Sequence, residues 1–149
     1  MVVELSQFAT ALILGLFAGS LLTEALVLVP YWRAMDPEAF FRLHASMGPR
    51  LYRYFSPITI LATVIPTVTA IIGAAHRSDD SELSVAVSAL VLVVLGIYFY
   101  YFKTANAGFA SEAPGIEGLP AELRRWATWH WIRTIIVIAA LVVSLCVLR

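Results

Sequence analysis

One cysteine, Cys146, stands among 149 residues, and a lone thiol forms no intrachain disulfide, no paired redox dithiol and no Cys-rich metal cage. Quinone-linked disulfide-forming enzymes are thereby excluded. Charge is scarce as well. Only 13% of the residues are Asp, Glu, Lys or Arg, with ten acidic against ten basic. A formal net charge of zero removes the electrostatic basis for a nucleic-acid partner. Met1 to Gln7 carry Glu4 and no Lys or Arg. The basic start of a signal peptide is missing, and the apolar stretch that follows is expected to be kept as a membrane helix. The chain has no phosphate-binding glycine loop, no nucleophile elbow and no internal repeat.

What fills the chain instead is apolar. Hydrophobic residues make up 60% of it and the mean hydropathy is +0.84, as expected of an integral membrane protein. A helix needs roughly 20 apolar residues to cross a bilayer core. Four segments reach that length: Gln7 to Val29, Phe55 to Ala75, Leu83 to Phe102, and Trp126 to Leu148. The fold expected is all-α, a four-helix transmembrane bundle forming a single domain over residues 1–149. Val29-Pro30 closes the first span. Asp36-Pro37-Glu38 then reads as an N-cap, a first-turn proline and an acidic first turn. The second helix therefore begins well before its apolar part and extends beyond the membrane, with Pro57 and Pro66 expected to kink it. His76 to Ser81 form a polar turn, with His76 an exposed loop residue. Tyr98 to Lys103 form an interfacial aromatic belt. Thr104 to Leu119, with Pro114-Gly115 and Gly118, reads as a long loop of the kind that often serves as a lid.

Four alternating spans put Arg33, Arg42, Arg50, Arg53, Lys103, Arg124, Arg125 and Arg133 at one end, and Arg77 and Arg149 at the other. The asymmetry predicts the basic end in the cytoplasm and both termini outside; the membrane expected is a bacterial cytoplasmic membrane.

Glu24 is out of place within this pattern. It lies inside the first apolar span, where a carboxylate is costly and marks a functional site whose partner must be found. His44 lies about as far beyond the turn at Met35 as Glu24 lies before it, so at about 1.5 Å per residue the two share a depth. Trp126, His130, Arg133 and Val137 follow i, i+4, i+7, i+11 spacing and share one stripe of the fourth helix. Asn106 sits just past the third span. Ser20, four residues before Glu24, and the Gly15-x-x-x-Gly19 contact pattern support an inward-facing Glu24. Tyr52, Ser56, Thr59 and Thr63 offer a polar stripe lining the same cavity.

Two chemistries fit this set. In one, Glu24, His44 and His130 are a two-His, one-carboxylate ligand set for a divalent transition metal such as iron or copper, with positions open for oxygen. In the other there is no metal. Glu24 exchanges protons with a histidine, and Arg133 holds a substrate oxyanion. Plainer readings stand beside both: a structural ion pair between Glu24 and Arg133, a solvated His44, and an aromatic belt that accounts for the tryptophans.

Gly15-Leu16-Phe17-Ala18-Gly19, Val29-Pro30, Phe40-Phe41-Arg42-Leu43-His44, Phe55-Ser56-Pro57, Asn106, and Trp126-Ala127-Thr128-Trp129-His130-Trp131-Ile132-Arg133-Thr134 together resemble the small four-helix anthrone oxygenase-like membrane proteins. The resemblance covers nearly the whole chain, and the segment Trp126 to Thr134 is its most specific part. Named members are linked to oxidation of a polycyclic anthrone to a quinone by molecular oxygen, and most bacterial members have no assigned activity. The family's usual Asn-x-Pro-Leu-Asn after the third span is here Asn106-Ala107-Gly108-Phe109-Ala110. The resulting expectation is a membrane-embedded oxidoreductase acting on a lipophilic aromatic or quinone-like molecule. Glu24, His44, His130 and Arg133 would be catalytic, and Asn106, Tyr52, Trp126 and Trp129 would contact substrate. The alternative is a non-catalytic accessory subunit of a larger membrane complex. Beyond the bilayer and a lipophilic small molecule, the partners expected are further copies of the chain or that larger complex.

Overall fold

The computed structural model describes residues 1–148, so Arg149 lies outside the described residues. Four helices are each long and apolar enough to cross a membrane: α1 (Val2–Ala34), α2 (Pro37–Ala75), α3 (Ser81–Ala110) and α4 (Gly115–Cys146). They form an all-α, four-helix bundle in which α1 and α3 each pack against both α2 and α4. At 39 residues, α2 is about 58 Å long, nearly twice the roughly 30 Å of a bilayer core.

The α2 start is built as the sequence indicates. Asp36 Oδ1 accepts from the N–H groups of Glu38 (3.1 Å) and Ala39 (3.2 Å), and Pro37 occupies the first turn, where no N–H is needed. Its end is also capped, by backbone alone. Ser78 N–H donates to Gly73 O and Arg77 N–H to Ala74 O, a Schellman closure that requires a left-handed residue. Arg77 supplies it at φ +50°, a conformation that penalises a Cβ. Arg77→Gly is therefore expected to stabilise the bundle by about 1 kcal/mol, read as a higher midpoint in thermal unfolding in detergent.

Other boundaries differ from the expected ones. Val29-Pro30 does not end α1. The helix widens into a π turn over Glu24–Leu28, closed by Val29 N–H on Glu24 O, and runs on to Ala34. Pro30, without an N–H and with a ring that meets the carbonyl four residues back in a regular helix, sits just past this wider turn. A second π turn, Tyr98–Phe102, lies in α3. α2 passes Pro49, Pro57 and Pro66 as one uninterrupted helix. The expected loop from Thr104 to Leu119 is mostly helical, because Ala105, Phe109 and Leu119 turn into the core and hold helix on either side of a short turn at 111–114.

The core has two layers. One is aliphatic, built on Leu14, Phe17, Leu21, Val87, Val91, Val94, Val137 and Ala140. The other, nearer the basic end, is aromatic, with Phe40, Phe41, Tyr101, Phe102, Phe109 and Trp126. One expected feature of the packing is absent among the described residues. A methyl added at Gly15 or Gly19 would meet no atom within 4 Å, so that pattern is not a close helix contact within the chain. On α2, Ala62, Pro66, Thr69, Ala70 and Gly73 are buried, Ser56, Thr59 and Thr63 are half-buried, and Tyr52 is exposed.

Candidate functional site

Glu24 finds its partner on the neighbouring helix α4. Its side chain is 5% exposed, and Arg133 Nη2 donates to Oε2 at 3.0 Å. The same guanidinium turns to His130, donating from Nη2 (2.7 Å) and Nε (3.2 Å) to Nδ1. On its other edge His130, fully buried, sits with Nε2 2.9 Å from Leu21 O. A carbonyl only accepts and a guanidinium only donates. The imidazole is therefore neutral, with its proton on Nε2. Nδ1 also lies 3.5 Å from Glu24 Oε2, but it has no proton to share, so that approach is not an ion pair. Arg133 holds the two acceptors apart. Nitrogen-15 NMR of labelled protein is expected to show the Nε2–H tautomer of His130; an Nδ1–H tautomer would contradict this network.

Aromatic rings enclose the three groups. The His130 ring stacks on Trp126 with centroids 5.0 Å apart and planes 9° from parallel. The Arg133 guanidinium lies 3.9 Å from the Phe102 ring centroid and 5.6 Å from that of Trp126, in the range where cation–π attraction offsets lost hydration. Phe102 meets Trp126 edge to face. Trp126 Nε1 donates to Asn106 Oδ1 at 3.0 Å, which fixes the indole plane on which His130 rests. Both π turns serve this cluster: one carries Glu24, the other Phe102. π turns recur at functional sites because the surplus residue re-aims side chains.

The structure thus brings together Glu24, His130, Arg133, Trp126 and Asn106, and separates the other candidates. His44 lies between Phe40 (5.7 Å) and Phe109 (5.5 Å). Its Nδ1 is buried without a hydrogen bond among the described residues, and no contact joins it to Glu24 or His130. Among the described residues no three His, Cys, Asp or Glu side chains are grouped to hold a metal ion, so the Glu24, His44 and His130 ligand set does not assemble. Counting residues from the turn at Met35 fixes neither the rotation of the two helices nor the neighbours His44 meets, and Phe109 lies seven residues beyond the Phe102 that touches Arg133. Trp129 faces sideways, stacked on Tyr101. Tyr52 is 62% exposed. Sequence reasoning missed Phe102, the Leu21 carbonyl, and Trp32, whose ring meets both Trp126 and Phe40 edge-on. The π turn at Glu24–Leu28 adds one residue to α1 before Trp32 and so shifts the face on which Trp32 meets Trp126, a shift without a composition signal.

A second polar group sits at the far end of the bundle. Thr10 and Thr69 hydroxyls are 2.9 Å apart, and Thr69 donates to Ser6 O. They line, with Gln7, Ser84 and Ser144, a cavity of about 10 Å³, room for about one water. Leu14, Phe17, Leu21, Val91 and Val137 separate it from Glu24.

Comparison of the chain with protein-family models, curated proteins and solved structures finds no match. The likeness to the anthrone oxygenase-like proteins rests on the motifs alone.

Proposed function

We propose that this integral membrane bundle is a non-catalytic subunit of a larger membrane assembly, and that Glu24, Arg133 and His130 lock α1 onto α4 rather than perform a reaction. The observation that carries this reading is saturation. Both His130 nitrogens and the Glu24 oxygen facing α4 are taken by partners within the chain. A general base must reach its proton directly or through one water, and here the guanidinium occupies that place. A buried ion pair adds little net stability but is costly to break on one side only, so this one serves to hold α1 in register on α4.

His130→Gln separates the two roles. A glutamine amide can donate to Leu21 O and accept from Arg133, but it does not titrate. Under the subunit reading the variant keeps the native-gel mobility and the stoichiometric cross-linked partners of the wild type. A wild-type protein that runs alone, together with an oxidase activity that His130→Gln abolishes, would sink it.

One observation favours a second reading, an oxidoreductase for a lipophilic aromatic or quinone-like molecule. Arg133 Nη1 makes no hydrogen bond among the described residues, and the Arg133 side chain keeps 14% exposure beside Phe102 and Trp126. A carbonyl or phenolate oxygen of such a molecule fits those remaining N–H donors, with Glu24 as the nearest base. Oxygen uptake with an anthrone substrate, abolished by Arg133→Gln, would support it.

A further inference from the structure

A cleft at the basic end belongs to neither reading. It lies where α1 ends, α2 begins and α4 makes its first turns, and its volume is about 100 Å³, several times what one water needs. Met35, Pro37, Leu119, Pro120 and Leu123 form an apolar floor, and Arg33 and Arg124 stand at its rim. Glu117, in the first turn of α4, has no hydrogen bond or ion pair among the described residues and does not line the cleft; three other nearby carboxylates are engaged elsewhere. Asp36 caps α2, Glu38 lies 3.6 Å from Arg42, and Glu122 accepts from Tyr101 Oη at 2.7 Å. Arg125, next to Arg124, lies over the Tyr101 ring. Neither the Arg33 nor the Arg124 guanidinium has a hydrogen bond, an ion pair or a ring contact among the described residues.

Depth identifies the ligand. Arg33 stands four residues past Val29, where the first apolar run stops, about 6 Å along the helix. Arg124 stands two residues before Trp126, where the last apolar run starts, about 3 Å along it. Both guanidiniums fall at the boundary between hydrocarbon and headgroups, and basic pockets between helices at this level select anionic headgroups. Guanidinium forks match phosphate oxygens, and the apolar floor suits glycerol and the first acyl carbons. We infer that the Arg33–Arg124 cleft binds the phosphate of an anionic membrane phospholipid.

The test uses the full chain in nanodiscs of equal phosphatidylglycerol and phosphatidylcholine, with retained lipid counted by native mass spectrometry. Wild type is expected to retain phosphatidylglycerol selectively. The preference should fall roughly fivefold per arginine removed, so roughly 25-fold in Arg33→Gln/Arg124→Gln. Arg50→Gln/Arg53→Gln, at the same end but outside the cleft, should retain it. Equal retention of both lipids by the wild type, or equal loss in the two double variants, overturns the site. Displacement of the retained lipid by millimolar inorganic phosphate overturns its lipid source, leaving a soluble phosphate ester as the ligand.

Discussion

Glu24→Ala is expected to cost about 3–5 kcal/mol, because it strands a guanidinium whose side chain is only 14% exposed beside two aromatic rings. Arg133 would lose its countercharge and keep only His130 as a hydrogen-bonded acceptor among the described residues. Removing both charges should cost far less than removing one. In Glu24→Gln/Arg133→Met the buried charge is gone. The glutamine amide nitrogen can take the place of Oε2, 3.5 Å from His130 Nδ1, and donate to it after a small shift, while the thioether chain that replaces the guanidinium lies against Phe102. Buried ion pairs replaced by packed apolar groups are often neutral or stabilising. Thermal unfolding in detergent, followed by tryptophan fluorescence, measures both. If the double variant is as unstable as Glu24→Ala, the three side chains do not form a closed network.

The contrast between Glu24 and His44 shows what could be read from the sequence. The four spans, the Asp36-Pro37 helix start and the inward stripe Trp126, His130, Arg133 follow from apolar run length and 3.6-residue spacing, which survive any detail of packing. Glu24 and Arg133 were legible as a pair because a buried charge requires an opposite one. His44 does not join Glu24. It packs on Phe40 and Phe109, and Phe109 lies seven residues, about 10 Å of helix, beyond the Phe102 that meets Arg133, because the neighbours that fill the space, not residue counts from a turn, decide where a side chain settles. The 104–119 segment failed for the reverse reason. Its glycines and prolines favour a loop locally, yet burial of Ala105, Phe109 and Leu119 outweighs a local preference of about 1 kcal/mol per glycine. The π turns were invisible, since one surplus residue in a helix has no signature in composition.

Deletion of Leu16 is expected to abolish folding, whereas deletion of Leu26, equally apolar and similarly exposed at 62% against 57%, should be survivable. A regular helix turns about 100° per residue. Loss of Leu16 would swing either the residues before it or Phe17, Leu21 and Glu24 out of the core, separating Glu24 from Arg133 or Ile13 and Leu14 from their neighbours. Leu26 belongs to the π turn Glu24–Leu28, an α-helix carrying one extra residue. Its removal restores regular α geometry and leaves Leu21 and Glu24 on one side, and Val29 and Trp32 on the other, in their present faces. The remaining penalty has a known source. Without the wide turn, the Pro30 ring meets the carbonyl of Ala25, now four residues back, at about 3 kcal/mol. Adding Pro30→Ala to the Leu26 deletion should recover most of that loss. The readouts are the yield of monodisperse protein and its unfolding temperature. If the two deletions behave alike, the π turn is not a register insertion and Glu24 does not owe its position to it.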